Sequence, residues 1–339
     1  MKDWLKQTTD RQRELLSLVS KQTGLPAMAI EKDWWVTLAL KAIFETKWAD
    51  NIVFKGGTSL SKSWGLIERF SEDIDLVIDR SILGYGEELS KNKISQLRKD
   101  SCSFTSGPFK QELEARLIKL GIPAGSFTLE VMDTSQSDRD PQILAIDYTS
   151  VFDKDSYLKE AVLIEIGARS LREPSEMRTI NSIISETLGE RSPAGTAFSI
   201  LTVVPARTFL EKIFLLHEEF SKNGEKTRTD RMSRHLYDLD RIMDTEHGIM
   251  ALDDLDLYSA IVDHRKKFNA IRGISYEYHI PSRINFIPPI EIRKAWEEDY
   301  KAMQASMIYG ESKSFDLLIE RMEVLLKRFR SKNMEIKST

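Results

Sequence analysis

The order of apolar and polar residues divides the chain into a part that contains strands and a part that is almost entirely helical. Up to about residue 48, apolar residues recur at helical spacing, with a break at Pro26. Later runs of β-branched and apolar residues are typical of strands, and they are Phe127–Met132, Gln142–Tyr148 and Ala161–Ile166. Residues 176–196 are typical of a helix followed by a loop. The pattern therefore predicts a sheet with flanking helices.

A second change follows the short apolar run Phe198–Pro205, which leads into a predicted helix over Arg207–Phe220. From there to Arg330 the pattern is helical, with an interruption at 273–289 where Gly and Pro are frequent. We therefore predict an α+β protein. Its first domain, residues 1–205, is a mixed β-sheet domain with N-terminal helices, and its second, residues 206–339, is helical.

Composition narrows the class of protein. The 339 residues are 41% hydrophobic and 30% charged, which is enough to bury a large core. The net charge of −4 argues against a protein that coats nucleic acid by bulk electrostatics, although a local basic face is compatible with it. The single cysteine, Cys102, excludes an internal disulfide, and no long apolar run predicts a membrane span. These features indicate a soluble cytoplasmic protein without a membrane partner.

The most informative stretch is a glycine turn between two predicted strands. Ile52–Phe54 is apolar, a helix is predicted from Ser59 to about Glu68, and a second strand is predicted over Phe70–Ile78. Paired glycines allow a tight turn whose amide groups and hydroxyls face an anion at a helix start. The turn therefore predicts a phosphate site made of Lys55, Gly56, Gly57, Thr58 and Ser59.

The strand that follows the turn contains a pair of acids. In the sequence Asp73-Ile74-Asp75 the two carboxylates lie on one face of a strand, because side chains alternate with a period of two. Carboxylates held side by side repel each other unless a cation lies between them, so they predict a hard divalent metal ion. A further carboxylate is expected near the metal to accept a proton. Glu165 is our choice, and Asp147 is a close alternative.

These segments resemble the nucleotidyl transferase AbiEii/AbiGii toxin family, whose fold has a polymerase-beta-like core. The resemblance is carried by FKGGTSLSK and RFSEDIDL, and it extends through IEKDWW, IEIGARS, TFLEK and RHLYDL. It implies that Asp73 and Asp75 bind Mg²⁺ (or Mn²⁺) and that Lys212 and Asp238 complete a nucleoside triphosphate site. It also implies a toxin whose acceptor is transfer RNA or another bacterial RNA or protein, and a cognate antitoxin that regulates it.

Several basic side chains are candidates for neutralising phosphate, and they are Lys55, Lys62, Arg69, Lys212 and Arg234. Arg234 has a simpler explanation, because it precedes Asp238 by one turn and an intrahelical ion pair is common at that spacing. His217 and His235 lack the spacing of a metal site and are expected to be packed side chains.

Two alternatives to RNA modification remain open from the sequence. One is transfer to a protein or to a small molecule such as an antibiotic, and the acidic composition mildly favours a cationic small molecule. The other is a binding module that has kept the fold but has lost turnover.

Overall fold

The computed structural model describes residues 1–71, 73–132, 141–152, 160–170, 172, 174–222 and 227–332. The chain divides into two compact units. Unit 1 contains residues 1–64 and 70–203, and unit 2 contains residues 65–69 and 204–339. The segment 65–69 thus joins the unit formed mainly by the C-terminal part of the chain.

A mixed β-sheet forms the centre of unit 1. Its described strands are β1 (Ile52–Lys55), β2 (Asp73–Ile78), β3 (Phe127–Val131), β4 (Gln142–Tyr148), β5 (Ala161–Gly167), β6 (Ser175–Ile180) and β7 (Phe198–Val203). Their spatial order is β3-β4-β5-β2-β1-β7-β6. The β2/β5 and β1/β7 pairs are parallel, and the other pairs are antiparallel. The α+β class predicted from the sequence is confirmed.

Helices flank this sheet in unit 1. They are α1 (Lys2–Leu5), α2 (Thr9–Thr23), α3 (Ala27–Ile43), α4 (Gly56–Lys62), α5 (Lys91–Phe104), α6 (Lys110–Lys119) and α7 (Ile183–Leu188). Helix α3 is buried on nearly every side, and it packs against α2, α6 and α7. Its charged segment Glu31–Asp33 is therefore also buried, and buried charges need partners within the protein.

The helix predicted over residues 176–196 is wrong in its first part. Strand β6 occupies Ser175–Ile180 and pairs only with β7 at the edge of the sheet, and the short helix α7 follows it. An edge strand exposes much of its surface, and Met177 is 61% exposed. The strand consequently lacks the apolar alternation by which strands are recognised.

Two further helices and one strand differ from the prediction made from the sequence. Helix α4 begins at Gly56 and ends at Lys62, earlier than the predicted end near Glu68, because Gly65 adopts a φ of +62° just after it. Strand β2 begins at Asp73, and Glu72, inside the predicted strand, lies outside the described residues. Helix α5 was not predicted, because the small residues Ser101 and Cys102 complete its buried face beyond Ile94 and Leu97.

Unit 2 is helical, as the pattern predicts. Its described helices are α8 (Pro205–Phe220), α9 (Arg234–Ile242), α10 (Glu246–Asp253), α11 (Leu255–His264), α12 (Ile290–Ser306) and α13 (Phe315–Arg330). Helix α8 starts with a proline, a residue favoured at the first helical position, and it packs against α9, α10 and α11. None of the helices in the described part of the chain has both the length and the apolar character needed to cross a bilayer.

Candidate active site

The glycine turn at the junction of β1 and α4 lies against Asp75 of β2. Gly56 has a φ of +80°, a conformation that favours glycine. A Cβ built on Gly56 would lie 1.9 Å from Oδ2 of Asp75 and 2.7 Å from its Cγ. The turn therefore passes the Asp75 carboxylate more closely than any side chain would permit.

Hydroxyl groups fix this turn to β2. Thr58 and Ser59 are fully buried. Thr58 donates to the carbonyl of Asp73 and lies 2.9 Å from Oγ of Ser71, while Ser59 donates to the carbonyl of Gly56 at 2.9 Å. Because both hydroxyls already bond within the protein, they orient the turn, and its backbone amides are the groups suited to an incoming phosphate.

Charged residues form a row across the middle of the sheet. Asp75 of β2 is paired with Lys55 of β1 on one side and with Glu165 of β5 on the other. Residues paired in register project to the same face, so Asp73, two residues before Asp75, shares that face too. All of these side chains are half-buried. The three carboxylates are thus neighbours on one sheet face.

The alternative acid, Asp147, lies farther from this row. In β4 the partner of Glu165 is Ile143, and Asp147 pairs with Ala161 instead. Four residues along a strand correspond to roughly 13 Å. Asp147 is also exposed. The sheet register therefore favours Glu165 as the acid beside Asp75.

The donor set suits magnesium. Within the described residues, no group of three or more His, Cys, Asp or Glu side chains is arranged to enclose an ion. Mg²⁺ is usually held by one or two carboxylates together with water and substrate phosphates, and not by a complete protein cage. Asp73 and Asp75, which lie two residues apart on one face of β2 and are half-buried, fit such a partial ligand set.

Of the candidate lysines in unit 1, Lys62 has a buried partner. Its Nζ donates to Oδ1 of Asp33 at 2.5 Å, and both side chains are 7% exposed. The other carboxylate oxygen of Asp33 accepts the backbone N–H of Ile183 at 2.8 Å. Lys62 thus joins α4 to α3, and we leave it out of the proposed phosphate site. Lys55 donates to Oγ of Ser170 at 3.3 Å.

A buried ion cluster lies in unit 2. Arg69 donates to Asp238 through Nε and Nη2, both at 2.7 Å, and Nζ of Lys212 is 2.8 Å from Oδ2 of Asp238. The side chains of Arg69 and Asp238 are 2% and 0% exposed. Burial opposes ionisation of Asp238, but the two cations outweigh it and hold its pKa below the usual value. Arg69 is therefore a structural partner of Asp238, and not a free phosphate contact.

His235 belongs to the same cluster. Its Nδ1 lies 3.4 Å from Nζ of Lys212. Burial, then the charges of Lys212 and Arg234, lower the pKa of His235 well below its usual value, so the imidazole is neutral. The sequence predicted only a packed histidine, and the spacing between residues 212 and 235 contained no signal of this contact.

Replacing Gly56 by alanine is expected to lower transfer activity about a hundredfold or more, the effect of misplacing a reacting group by about 1 Å. The added methyl group would overlap the Asp75 carboxylate, so either the acid or the turn has to move. The initial rate of nucleotide transfer measures the effect.

Gly84→Ala is the matched control for Gly56→Ala. Gly84 has a φ of +82°, close to that of Gly56, but a Cβ there meets nothing within 4 Å. It carries the same backbone strain without the overlap, so this variant should lose some stability and keep its activity. Equal activity in the two variants would contradict the assigned contact.

Comparison with known proteins identifies the family. The family model described as "Nucleotidyl transferase AbiEii toxin, Type IV TA system" matches residues 38–321. Comparison with curated protein sequences finds no match. Among solved structures, JHP933 from Helicobacter pylori is similar with 16% identity and a TM-score of 0.45, covering 90% of this chain and 93% of that one.

A second similar structure is MenT4, a nucleotidyltransferase toxin from Mycobacterium tuberculosis, with 18% identity and a TM-score of 0.42, covering 93% of this chain and 99% of that one. The family match spans most of the chain and includes the glycine turn, the acid pair and the Lys212–Asp238 cluster. The chain therefore belongs to the AbiEii nucleotidyl transferase toxin family of type IV toxin–antitoxin systems, and it is a nucleotidyltransferase that uses a nucleoside triphosphate.

Proposed function

We propose that this nucleotidyltransferase transfers a nucleoside monophosphate from a nucleoside triphosphate to a hydroxyl group of RNA, in a reaction that requires a divalent metal ion. The observation that carries this proposal is the row of Asp75 and Glu165 beside the turn at Gly56. In support of the proposal, the carboxylates of this row are of the kind that bind a divalent metal ion and accept a proton, and the backbone amides of the turn are suited to phosphate.

The three carboxylates on this sheet face have two tasks in the proposed reaction. Asp73 and Asp75 would hold Mg²⁺ or Mn²⁺, which would supply positive charge to the phosphate oxygens. Glu165 accepts the proton of the acceptor hydroxyl while the oxygen of that hydroxyl forms a bond to the α-phosphorus. The bond between the α-phosphorus and the oxygen that bridges it to the β-phosphate breaks, and pyrophosphate leaves. The amides of the turn at Gly56 and Gly57 bind the leaving phosphates.

RNA is the acceptor class that we favour, and transfer RNA is its expected member. A toxin of this family acts against its own cell, and modifying a hydroxyl of an essential RNA achieves that with the chemistry described. Because the net charge is −4, RNA would have to bind a local basic face of the protein and not its surface as a whole. We place the reaction in the cytoplasm, where RNA and nucleoside triphosphates are found, and expect a cognate antitoxin to control it.

The test is incubation of the purified protein with each α-³²P-labelled nucleoside triphosphate, Mg²⁺ and total bacterial RNA. A labelled small RNA band that is absent with Asp73→Asn would support the proposal and identify the donor. Label on protein, or on a small molecule added in a parallel reaction, would replace RNA by that acceptor. No label with any acceptor would contradict transfer.

A further inference from the structure

Strand β6 forms one edge of the sheet in unit 1. It pairs with β7 and with no other strand in the described part of the chain. Proteins usually protect such an edge with proline, lysine or a bulge, because its unpaired N–H and C=O groups can pair with another chain. Pro174 precedes β6, but the strand itself, SEMRTI, contains neither proline nor lysine, and its register with β7 runs from Ser175 to Ile180 without a bulge. The edge is therefore suited to accept a further strand.

The side chains along this edge include an acid and a base two residues apart. Glu176 is exposed and forms no ion pair among the described residues, and Met177 beside it is 61% exposed. Arg178 donates through Nε to the carbonyl of Ser63 at 3.1 Å, and its guanidinium lies over the ring of Trp64 at 4.2 Å. These contacts orient Arg178, and a guanidinium with five N–H groups still has donors for a carboxylate.

Symmetry restricts how two copies of β6 can pair. In a symmetric antiparallel pair the two-fold axis has to pass through a residue position, because only then do the outward N–H and C=O groups of the two copies meet. An axis at Glu176 would oppose two acids, and an axis at Arg178 would oppose two arginines, which is unfavourable. Axes nearer the strand ends pair fewer residues. An axis at Met177 instead places Glu176 of each copy opposite Arg178 of the other.

We propose that a second copy of this chain pairs antiparallel with β6, with Met177 on the two-fold axis, so that one sheet continues through both copies. Main-chain hydrogen bonds, two Glu176–Arg178 ion pairs and the contact between the two exposed Met177 side chains hold the copies together. Strand β3 at the other edge has an acid, Glu130, and no base, so it lacks this self-complementarity. Two strands separate β6 from β2, and the inference does not depend on the proposed function.

Molar mass measured by sedimentation over a range of protein concentrations is the first test. The interface is short, so we expect a dimer that dissociates in the micromolar range. Glu176→Lys brings two cations together at both pairs and should raise the dissociation constant about tenfold or more. Adding Arg178→Glu to Glu176→Lys exchanges the two charges and should restore the dimer. Glu130→Lys makes the same change on the other edge strand and should leave the dimer intact.

Cysteine cross-linking tests the register. Met177→Cys would place two thiols opposite each other at the axis, and an added oxidant should join the copies through a disulfide. Thr179→Cys is the matched control on the same strand. In the proposed register Thr179 lies opposite Ser175 of the second copy, so the two introduced thiols would be roughly 13 Å apart and should not be joined. The native Cys102 is buried.

Two results would overturn the inference. One is a wild-type protein that remains monomeric at a concentration of about 1 mM. The other is a dimer that is unchanged by Glu176→Lys and is linked as readily through Thr179→Cys as through Met177→Cys, because such a dimer would use another surface. Neither result would affect the proposed transfer reaction, whose test measures labelled RNA.

Discussion

We expect Asp75→Asn to abolish nucleotide transfer and to leave the protein folded. We expect the catalytic efficiency to fall at least ~10³-fold, which corresponds to about 4 kcal/mol of lost transition-state stabilisation. Asparagine keeps the shape of the side chain beside Gly56 but removes the negative charge that would hold the metal ion. Asp75 is only half-buried in β2, and the core is formed by its neighbours Ile74 and Leu76, so folding does not depend on it.

Melting temperatures should show that the defect is in metal binding. Asparagine has nearly the size of aspartate and Asp75 is only half-buried, so in EDTA the Asp75→Asn protein should melt near the wild-type temperature. Mg²⁺ should raise the melting temperature of the wild type, because it binds only the folded state, and it should raise that of the variant less. An equal effect of Mg²⁺ on both proteins would contradict the metal site.

The matched control for this prediction is Asp147→Asn. Asp147 is an exposed acid of the same sheet, but its register places it away from the row that contains Asp75 and Glu165. Transfer should be unchanged in Asp147→Asn and nearly absent in Glu165→Gln. The reverse result would make Asp147 the proton acceptor.

The local part of the candidate site could be predicted from the sequence because its residues are close along the chain. The turn at Gly56 and the acids of β2 belong to one strand–helix–strand unit, and alternation alone places Asp73 and Asp75 on one face. The sequence left Glu165 and Asp147 as alternatives, because only the strand register, which depends on the whole sheet, separates them.

The buried ion pairs could not be predicted in the same way. Arg69 and Asp238 are 169 positions apart, and Lys62 and Asp33 are 29 positions apart, so no periodic pattern connects them. The sequence predicted Arg69 and Lys62 as cations that neutralise phosphate. It could not show that both side chains are buried, because charge alone does not indicate burial. Their carboxylate partners decide their role, and only the tertiary structure shows these partners.

Breaking the Asp238 cluster is the change with the largest expected effect on stability. Asp238→Asn removes the carboxylate charge that Arg69 and Lys212 share, and removing one partner of a buried ion pair costs about 3–5 kcal/mol. The midpoint of urea denaturation, with its slope, measures the loss in free energy of unfolding. Transfer activity is then compared at a temperature where both proteins are folded.

Asp240→Asn, on the same helix, is the control for Asp238→Asn. It distinguishes the cost of removing the partner of buried cations from the cost of losing a carboxylate. Asp240 is itself buried, but its partners Lys313 and Arg321 have side chains that are 36% and 25% exposed, so water can solvate them when the acid is lost. We expect a cost of about 1 kcal/mol there. If both variants unfold at the same urea concentration, the assignment of Asp238 as the counter-charge of Arg69 and Lys212 is contradicted.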